Sequence, residues 1–480
     1  MGHPLSRRID AVLDLDPAAR ALEFDGRWHT FAEVATLARR VAALAGRGRV
    51  GIMLRNEPAH VAALLGVLSA GGTVVAINPG RGDERTRADI EALRLPVLVG
   101  LAGDLTALAG ESAATRIAIS DLQTPPEVGE GTAPDDPGRP GVAVSMLTSG
   151  TTGPPKRVDL TYDMLARSVI GADPEQADAP TRVRSGVAIV NAPLVHVGGV
   201  FRVLLCIAEA RPFVLLRRFE LDPWARAVRE YRPRAVSLVP AALRMVLHSD
   251  LTRADLAGVS AVTSGTAPLS ADDADAFTEK FGIPVLTSYA ATEFGGGVAG
   301  WTPADHRDHW QAKRGSVGRA NPGAQLRVVD PDTGAPLGPD EPGLLEVIPA
   351  QFGPDAGWLR TTDIARIDAD GFLWILGRSD QAIIRGGFKV MPDDVRAALE
   401  QHPAVTGAAV VGQPDPRLGE TPVALVELRA DASVDDLIDF LHTRLARYEV
   451  PTEIMVVDSL PRTPSGKPDL TAVRSHFARV

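Results

Sequence analysis

The sequence predicts an α/β protein: a large N-terminal domain of doubly wound α/β subdomains plus a β-rich subdomain, followed by a small α+β C-terminal domain. Three observations predict it. Residues 30–125, and again 186–293, alternate helical apolar patterns with short apolar runs, the order that winds helices over a parallel sheet. Residues 315–377 change to short strands and tight turns such as Asp330-Pro331-Asp332-Thr333-Gly334 and Asp368-Ala369-Asp370-Gly371. After Gly377 helix and strand patterns alternate again over about 100 residues, an ordinary domain size. The expected boundary separates residues 1–377 from 378–480.

Taken in order, strands are expected at 50–54, 73–77 and 96–100. A polar Pro/Gly/Asp-rich stretch at 125–140 reads as a surface connection. The apolar run 142–147 then feeds directly into Thr148-Ser149-Gly150-Thr151-Thr152-Gly153-Pro154-Pro155-Lys156. In the last domain a helix is expected at 392–401, strands at 405–411 and 423–428, and a helix at 434–445. Residues 61–79 carry no charge and match a bilayer span in length. Gly71-Gly72 divides them into a helix ending near Ala70 and a strand at 73–77, so no membrane span is expected.

At 480 residues, 45% hydrophobic and 23% charged, the chain exceeds what one hydrophobic core supports. A net charge of -10 without a basic stripe argues against nucleic-acid binding. The single cysteine, Cys206, excludes a disulfide framework and a Cys-rich metal site, and it fits a reducing, cytoplasmic compartment. Of 50 basic residues only Lys156, Lys280, Lys313, Lys389 and Lys467 are lysines. In so arginine-rich a chain, each lysine points to a need for a compact ammonium, although chance placement is the ordinary reading.

The 148–156 segment offers backbone N–H groups, four hydroxyls and one cation to an anion, with Gly150 and Gly153 allowing close backbone approach. Its spacing is not GxxxxGK[ST], which disfavours a Walker-type NTPase. An ordinary Ser/Thr/Gly turn has the same composition. Further segments follow in order: Ser288-Tyr289-Ala290-Ala291-Thr292-Glu293, Arg360-Thr361-Thr362-Asp363, Gly377-Arg378-Ser379-Asp380, Arg385-Gly386-Gly387-Phe388-Lys389 and Pro461-Arg462-Thr463-Pro464-Ser465-Gly466-Lys467.

Together these segments resemble the signature motifs of the adenylate-forming superfamily: acyl-CoA and aryl-CoA ligases, nonribosomal adenylation domains and luciferases, with acyl-CoA ligases nearest. The resemblance covers almost the whole chain. It implies ATP, Mg²⁺ and coenzyme A as cofactors and a hydrophobic carboxylic acid as substrate, activated as acyl-AMP before transfer to the thiol. Thr148, Ser149, Gly150, Thr151, Thr152, Gly153, Lys156, Tyr289, Asp363 and Arg378 would bind the nucleotide. Tyr289 would stack on adenine, Asp363 and Arg378 would meet the ribose, and Glu293 would hold Mg²⁺ beside Thr292. Lys467 would neutralise charge during adenylation. Asp380 would be the hinge of a mobile small domain that next presents Gly386, Gly387 and Lys389 to CoA. For Tyr289, Glu293 and Arg378 the ordinary alternatives are a core tyrosine, a solvated carboxylate and a salt bridge.

By the same resemblance His196, Gly265, Thr266, Ala267, Ala290 and Ala291 would line the acyl pocket, with His196 as its gate. No acidic residue occurs between Gly186 and Ala208, which points away from an amino-acid substrate. Gly295-Gly296-Gly297 is expected to leave room for a bulky or cyclic acid. Arg157, Ala290 and Thr362 stand where relatives carry glycine, so side chains are expected beside the nucleotide and acid. This leaves open a chain that performs one half-reaction with a partner adenylating enzyme, or one that loads a carrier protein or an amine. A monomer or homodimer is expected.

Overall fold

The computed structural model describes residues 2–147, 156–386, 388–463 and 466–478. Thr148, Ser149, Gly150, Thr151, Thr152, Gly153 and Gly387 lie outside the described residues.

Among the described residues the first sheet runs Glu127–Gly129, Thr115–Ala118, Val97–Gly100, Arg49–Met53, Thr73–Ile77, Val142–Leu147 and Arg157–Thr161. Its inner strands pair in parallel and both edge strands antiparallel. The stretch expected as a plain surface connection therefore contains an edge strand; all three of its residues are exposed, so hydrophobic periodicity gave no sign of it. A second sheet places Ala235–Ser237, Ala261–Ser264 and Val285–Ala291 in parallel, then Gly296–Gly300 and Arg319–Ala320 antiparallel. A third sheet joins Ala188–Val190 and Phe213–Leu215 to the hairpin Arg20–Phe24 and Arg27–Thr30. The β-rich part is the antiparallel meander Gln325–Val329, Gly343–Ile348, Leu359–Ile367 and Leu373–Arg378.

The uncharged 61–79 segment divides as expected. The helix Pro58–Ser69 is buried from Pro58 to Leu68, and the strand Thr73–Ile77 is buried throughout. A turn at Gly71 (φ 81°) separates them. The helix crosses its neighbour Phe31–Ala45 closely enough that a Cβ at Gly66 would stand 2.1 Å from the Ala38 carbonyl oxygen. No described helix is long and apolar enough to cross a membrane.

Between Arg378 and Ile383 the chain leaves the meander and enters a new sheet. There Ile383–Arg385 pairs with Phe388–Val390 and meets Gly419–Leu428, which pairs with Val405–Asp415 and Glu453–Val457. The helices Pro392–Glu400 and Val434–His442 cover it, and Val395, Leu399, Val410, Val426, Leu437 and Leu441 form a core of its own. At the junction Gly377 (φ 135°) sits so close to this unit that a Cβ would stand 2.7 Å from Met391 Cε.

His60 lies fully buried on the Pro58–Ser69 helix. Burial above all, then the Arg55 charge, pushes its pKa from 6.5 to about 4, against the smaller pull of Asp104. The folded state thus refuses a proton that the unfolded chain accepts. Its contribution is complete above pH 6.5 and is lost as pH falls towards 4, in all roughly 3 kcal/mol. Thermal melts at pH 7 and pH 5 should show His60→Met losing less stability on acidification than wild type. Equal losses would contradict a buried neutral His60.

Candidate active site

The site is built where strand ends from the second sheet and the meander meet a loop of the C-terminal unit. The strand Val285–Ala291 carries Tyr289, and the paired strands Leu359–Ile367 and Leu373–Arg378 set Asp363 opposite Arg378. The Tyr289 hydroxyl donates to the Asp363 carboxylate, and burial, reinforced by that carboxylate's charge, pushes the phenol's pKa well up. Burial also raises the Asp363 pKa, opposed by the Tyr289 bond and the Arg378 charge. Arg378 is gripped by Asp380, through both Nε and Nη2 at 2.9 Å, and donates from Nη2 to Thr362 Oγ1 at 2.6 Å.

Lys467 comes from far along the chain. Its loop is closed by Gly466 N–H donating to Thr463 O at 2.8 Å and Thr463 N–H donating to Lys467 O at 2.8 Å, with Gly466 at φ 82°. Burial first, then the Arg378 charge, lowers the Lys467 pKa, while Glu293 and Asp363 work the other way. The ammonium therefore feels the charges of two carboxylates and a guanidinium in a half-buried space. His196 feels the Lys467 charge in turn. Burial, then the Lys467 charge, pushes the imidazole down to about 4, so it is neutral near pH 7. Its Nε2 is buried and has no hydrogen-bond partner among the described residues. Thr292 and Glu293 lie on the turn Thr292–Phe294, with Glu293 exposed.

Lys156 is exposed at the foot of the strand Arg157–Thr161. Arg157 has partners of its own. Its side chain pairs with Asp89 of the helix Asp83–Leu93 at 2.6 Å and donates to Ala76 O at 3.1 Å. A buried guanidinium takes the nearest carboxylate, and Asp89 supplies it. Thr362 supplies a hydroxyl that positions Arg378. Ala290 is exposed at a β-bulge beside Tyr289.

Three further expected site segments have neighbours that the sequence did not show. The methyl of Ala291 packs with the cluster around Phe294 and Val298. A Cβ at Gly295 would stand 2.7 Å from Met164 Cε and one at Gly296 3.2 Å from Gln351 Nε2, so side-chain ends lie against these two, while Gly297 is exposed with Asn321 Nδ2 at 3.3 Å. Tyr289 has its hydroxyl committed to Asp363 and its ring tilted 56° to Phe294 at 5.7 Å, an anchoring that sequence alone did not reveal. Gly265 approaches Ser288 so closely that a Cβ would meet Ser288 Oγ at 2.9 Å, and Thr266 beside it takes φ 72°. Ala267 follows, half-buried.

The Gly386 segment packs instead on its own unit. Gly386 N–H donates to Leu418 O at 2.7 Å, and Phe388 stacks on Tyr448 at 4.6 Å. Lys389 lies in the strand Phe388–Val390. The structure thus brings Lys467 to Glu293, Asp363 and Arg378, and seats this segment elsewhere.

The family model described as AMP-binding enzyme matches residues 10–348, and that described as AMP-binding enzyme C-terminal domain matches residues 394–467. The chain belongs to the AMP-binding enzyme family. It is a ligase of the acyl-CoA synthetase type, and ATP or AMP and CoA are the ligands of that family. It is 31% identical to 4-coumarate–CoA ligase 1 of Oryza sativa subsp. japonica, covering 94% of this chain and 88% of that one. To the indoleacetate–CoA ligase of Aromatoleum aromaticum it is 29% identical, covering 99% and 98%. Its fold matches ATP-bound MatB from Rhodopseudomonas palustris with a TM-score of 0.83 at 26% identity, covering 99% of both chains.

Sequence reasoning missed two residues in the enzyme. Arg244, on the helix Pro240–Leu247, reaches across to Glu400 of the C-terminal helix Pro392–Glu400 at 3.0 Å while holding Asp273 at 2.7 Å. Nothing local marks it, because both partners are distant in sequence. Arg202 is the one charge in the apolar run 197–208, a signal that was present in the sequence.

The Thr362 hydroxyl contributes one hydrogen bond to Arg378. Thr362→Val should raise the KM for ATP about five-fold, the equivalent of about 1 kcal/mol. An unchanged KM would show that Asp380 alone positions the guanidinium.

Proposed function

We propose that this enzyme is an ATP-dependent carboxylic acid–CoA ligase that works through an acyl-AMP intermediate on an acid with a hydrophobic body and no free amine. The observation that carries the reading is Lys467 within electrostatic range of Arg378, Glu293, Asp363 and His196. Two cations kept together in a half-buried space repel, and an anion beside Lys467 would relieve that repulsion beyond what Glu293 and Asp363 do. A nucleotide triphosphate with its ribose on Asp363 and Arg378 supplies that anion.

In the first step the substrate carboxylate attacks the α-phosphorus of ATP, forming the acyl–phosphate bond as pyrophosphate leaves. Lys467 stabilises the charge on the reacting oxygens, and the 148–156 loop with Lys156 cradles the phosphates. Positioning and charge stabilisation supply most of the catalysis in such displacements. Neutral His196 closes the acid's side of the site without adding a competing cation. Among the described residues no group of three His, Cys, Asp or Glu could hold a metal by itself. One exposed carboxylate, Glu293, fits an ion that takes its other ligands from phosphates and water, as Mg²⁺ does. Mg²⁺ bound there would neutralise phosphate charge.

In the second step the thiol sulfur of CoA attacks the acyl carbon and AMP leaves. The domain boundary near 377/378 and a hinge at Asp380 belong to this reading, because the chain changes sheet there. Rotation about it would break Arg244–Glu400, withdraw Lys467 and bring Gly386, Gly387 and Lys389 to the site. A cyclic acid is supported by relatives named for 4-coumarate and indoleacetate, no longer by the glycines at 295–297. The Arg157–Asp89 pair weakens one reason for assigning the enzyme only half of the reaction.

Exchange of labelled pyrophosphate into ATP, screened over aryl, alicyclic and fatty acids, tests the first step. Lys467→Ala should lower the exchange rate by about 10²–10³ while thioester formation from supplied acyl-AMP falls only a few-fold. Equal loss in both steps would contradict the rotation.

A further inference from the structure

The helix Val197–Ala208 starts at His196 and runs away from Lys467. Val200, Val203, Leu204 and Ile207 form its buried core face, while Gly198, Arg202 and Leu205 share a half-buried face at i, i+4 and i+7. Arg202 Nη2 donates to Thr263 Oγ1 at 3.2 Å, on the strand Ala261–Ser264 that leads into Gly265, Thr266 and Ala267. A guanidinium carries five N–H donors, and this is the hydrogen bond it makes to the described residues. No described carboxylate pairs with Arg202. The neighbour that acts on it is the Cys206 thiol, which burial pushes up to about 12 and so keeps neutral.

Other sequestered arginines of this enzyme are arranged differently. Arg157 has Asp89 at 2.6 Å, Arg244 has Asp273 at 2.7 Å and Arg396 has Glu400 at 2.7 Å, while Arg8, without a carboxylate in contact, is satisfied by the carbonyls of Ala177, Asp178 and Ala208. A buried cation without a counter-charge destabilises a fold, so a lone one points to an anion from outside. There is room for it. Helical side chains lean towards the N-terminus, which lays Arg202 over Gly198, and a Cβ built at Gly198 meets only the Ala192 Cβ, at 4.0 Å. His196 stands beyond, about 9 Å along the helix axis from Arg202.

We propose that Arg202 binds a second anionic group of the acid, so that the substrates are dicarboxylic acids with an apolar body, one carboxylate at Lys467 and the other at Arg202. This rests on the acyl-adenylate reading above. Lys467 is a point charge at the reacting end, whereas the planar guanidinium fork suits a carboxylate that is held and not consumed.

Matched acids test it: isophthalic and terephthalic acid against m- and p-toluic acid, and glutaric and adipic acid against their monoamides. With pyrophosphate release as the readout, at least one diacid should exceed its monocarboxylate counterpart about 100-fold in kcat/KM. Arg202→Met should bring that pair within about five-fold by raising the KM for the diacid at little change in kcat, and Arg202→Lys should restore part of the preference. Since Arg202→Met removes a lone buried charge, its melting temperature should equal or exceed that of wild type. Monocarboxylates used as well as diacids, or a ratio unmoved by Arg202→Met, would overturn the proposal. Calorimetric titration of the diacids into AMP-loaded enzyme separates the two readings. Diacid binding that Arg202→Met abolishes, with no pyrophosphate from any acid, would support the anion site and sink the acyl-adenylate step. Release from toluic acids alone would keep that step and overturn the anion site, and neither binding nor release would overturn both.

Discussion

Lys467 and Arg378 are two cations held within electrostatic reach of each other in a half-buried space, and the rest of the site is arranged around that constraint. Asp380 and Thr362 fix the guanidinium, Asp363 is itself fixed by Tyr289, and Glu293 and Asp363 partly offset the repulsion. What remains is a Lys467 pKa held below the ordinary lysine value, which a phosphate beside it would raise. The ammonium is delivered by a short loop with its own closing hydrogen bonds, so its position follows that of the C-terminal unit as a whole.

The scaffold explains why such distant residues meet. Parallel sheets present the ends of successive strands along one edge, which gathers loops of different origin there. The strand Val285–Ala291 brings Tyr289 to this edge, and the meander adds Asp363 and Arg378 from paired strands. Arg244, bridging Asp273 to Glu400, ties the C-terminal helix to the large region in the orientation that inserts Lys467. A buried charged tie gives orientation more surely than net stability, because desolvation offsets most of its attraction.

Much of this was legible in the sequence, since the wound strands are short apolar runs bounded by turn residues. The strand Val142–Leu147, the break at Gly71 and the helix beginning at Pro392 follow from local pattern. Side-chain direction was not legible. Arg157 pairs with Asp89, because a strand residue can face either side and the choice was made by a helix 68 residues away. The glycines at 295–297 suggest space, yet the ends of the Met164 and Gln351 side chains lie against Gly295 and Gly296. Arg202 is legible as the lone charge in an apolar helix. The loop residues 148–153 and Gly387 lie outside the described residues, and their roles stand on resemblance.

The small number of lysines makes the central claim measurable. In protein labelled with ¹³C at lysine Cε, five resonances report all the ammonium groups, and Lys467→Arg assigns the one of interest. Titration of the free enzyme should give Lys467 a pKa below the ordinary lysine value of about 10.4. A non-hydrolysable ATP analogue should raise it by about one pH unit or more, because the phosphates remove the repulsion by Arg378. A Lys467 pKa that is ordinary in the free enzyme, or unmoved by the nucleotide, would contradict the placement of the phosphates between these two cations.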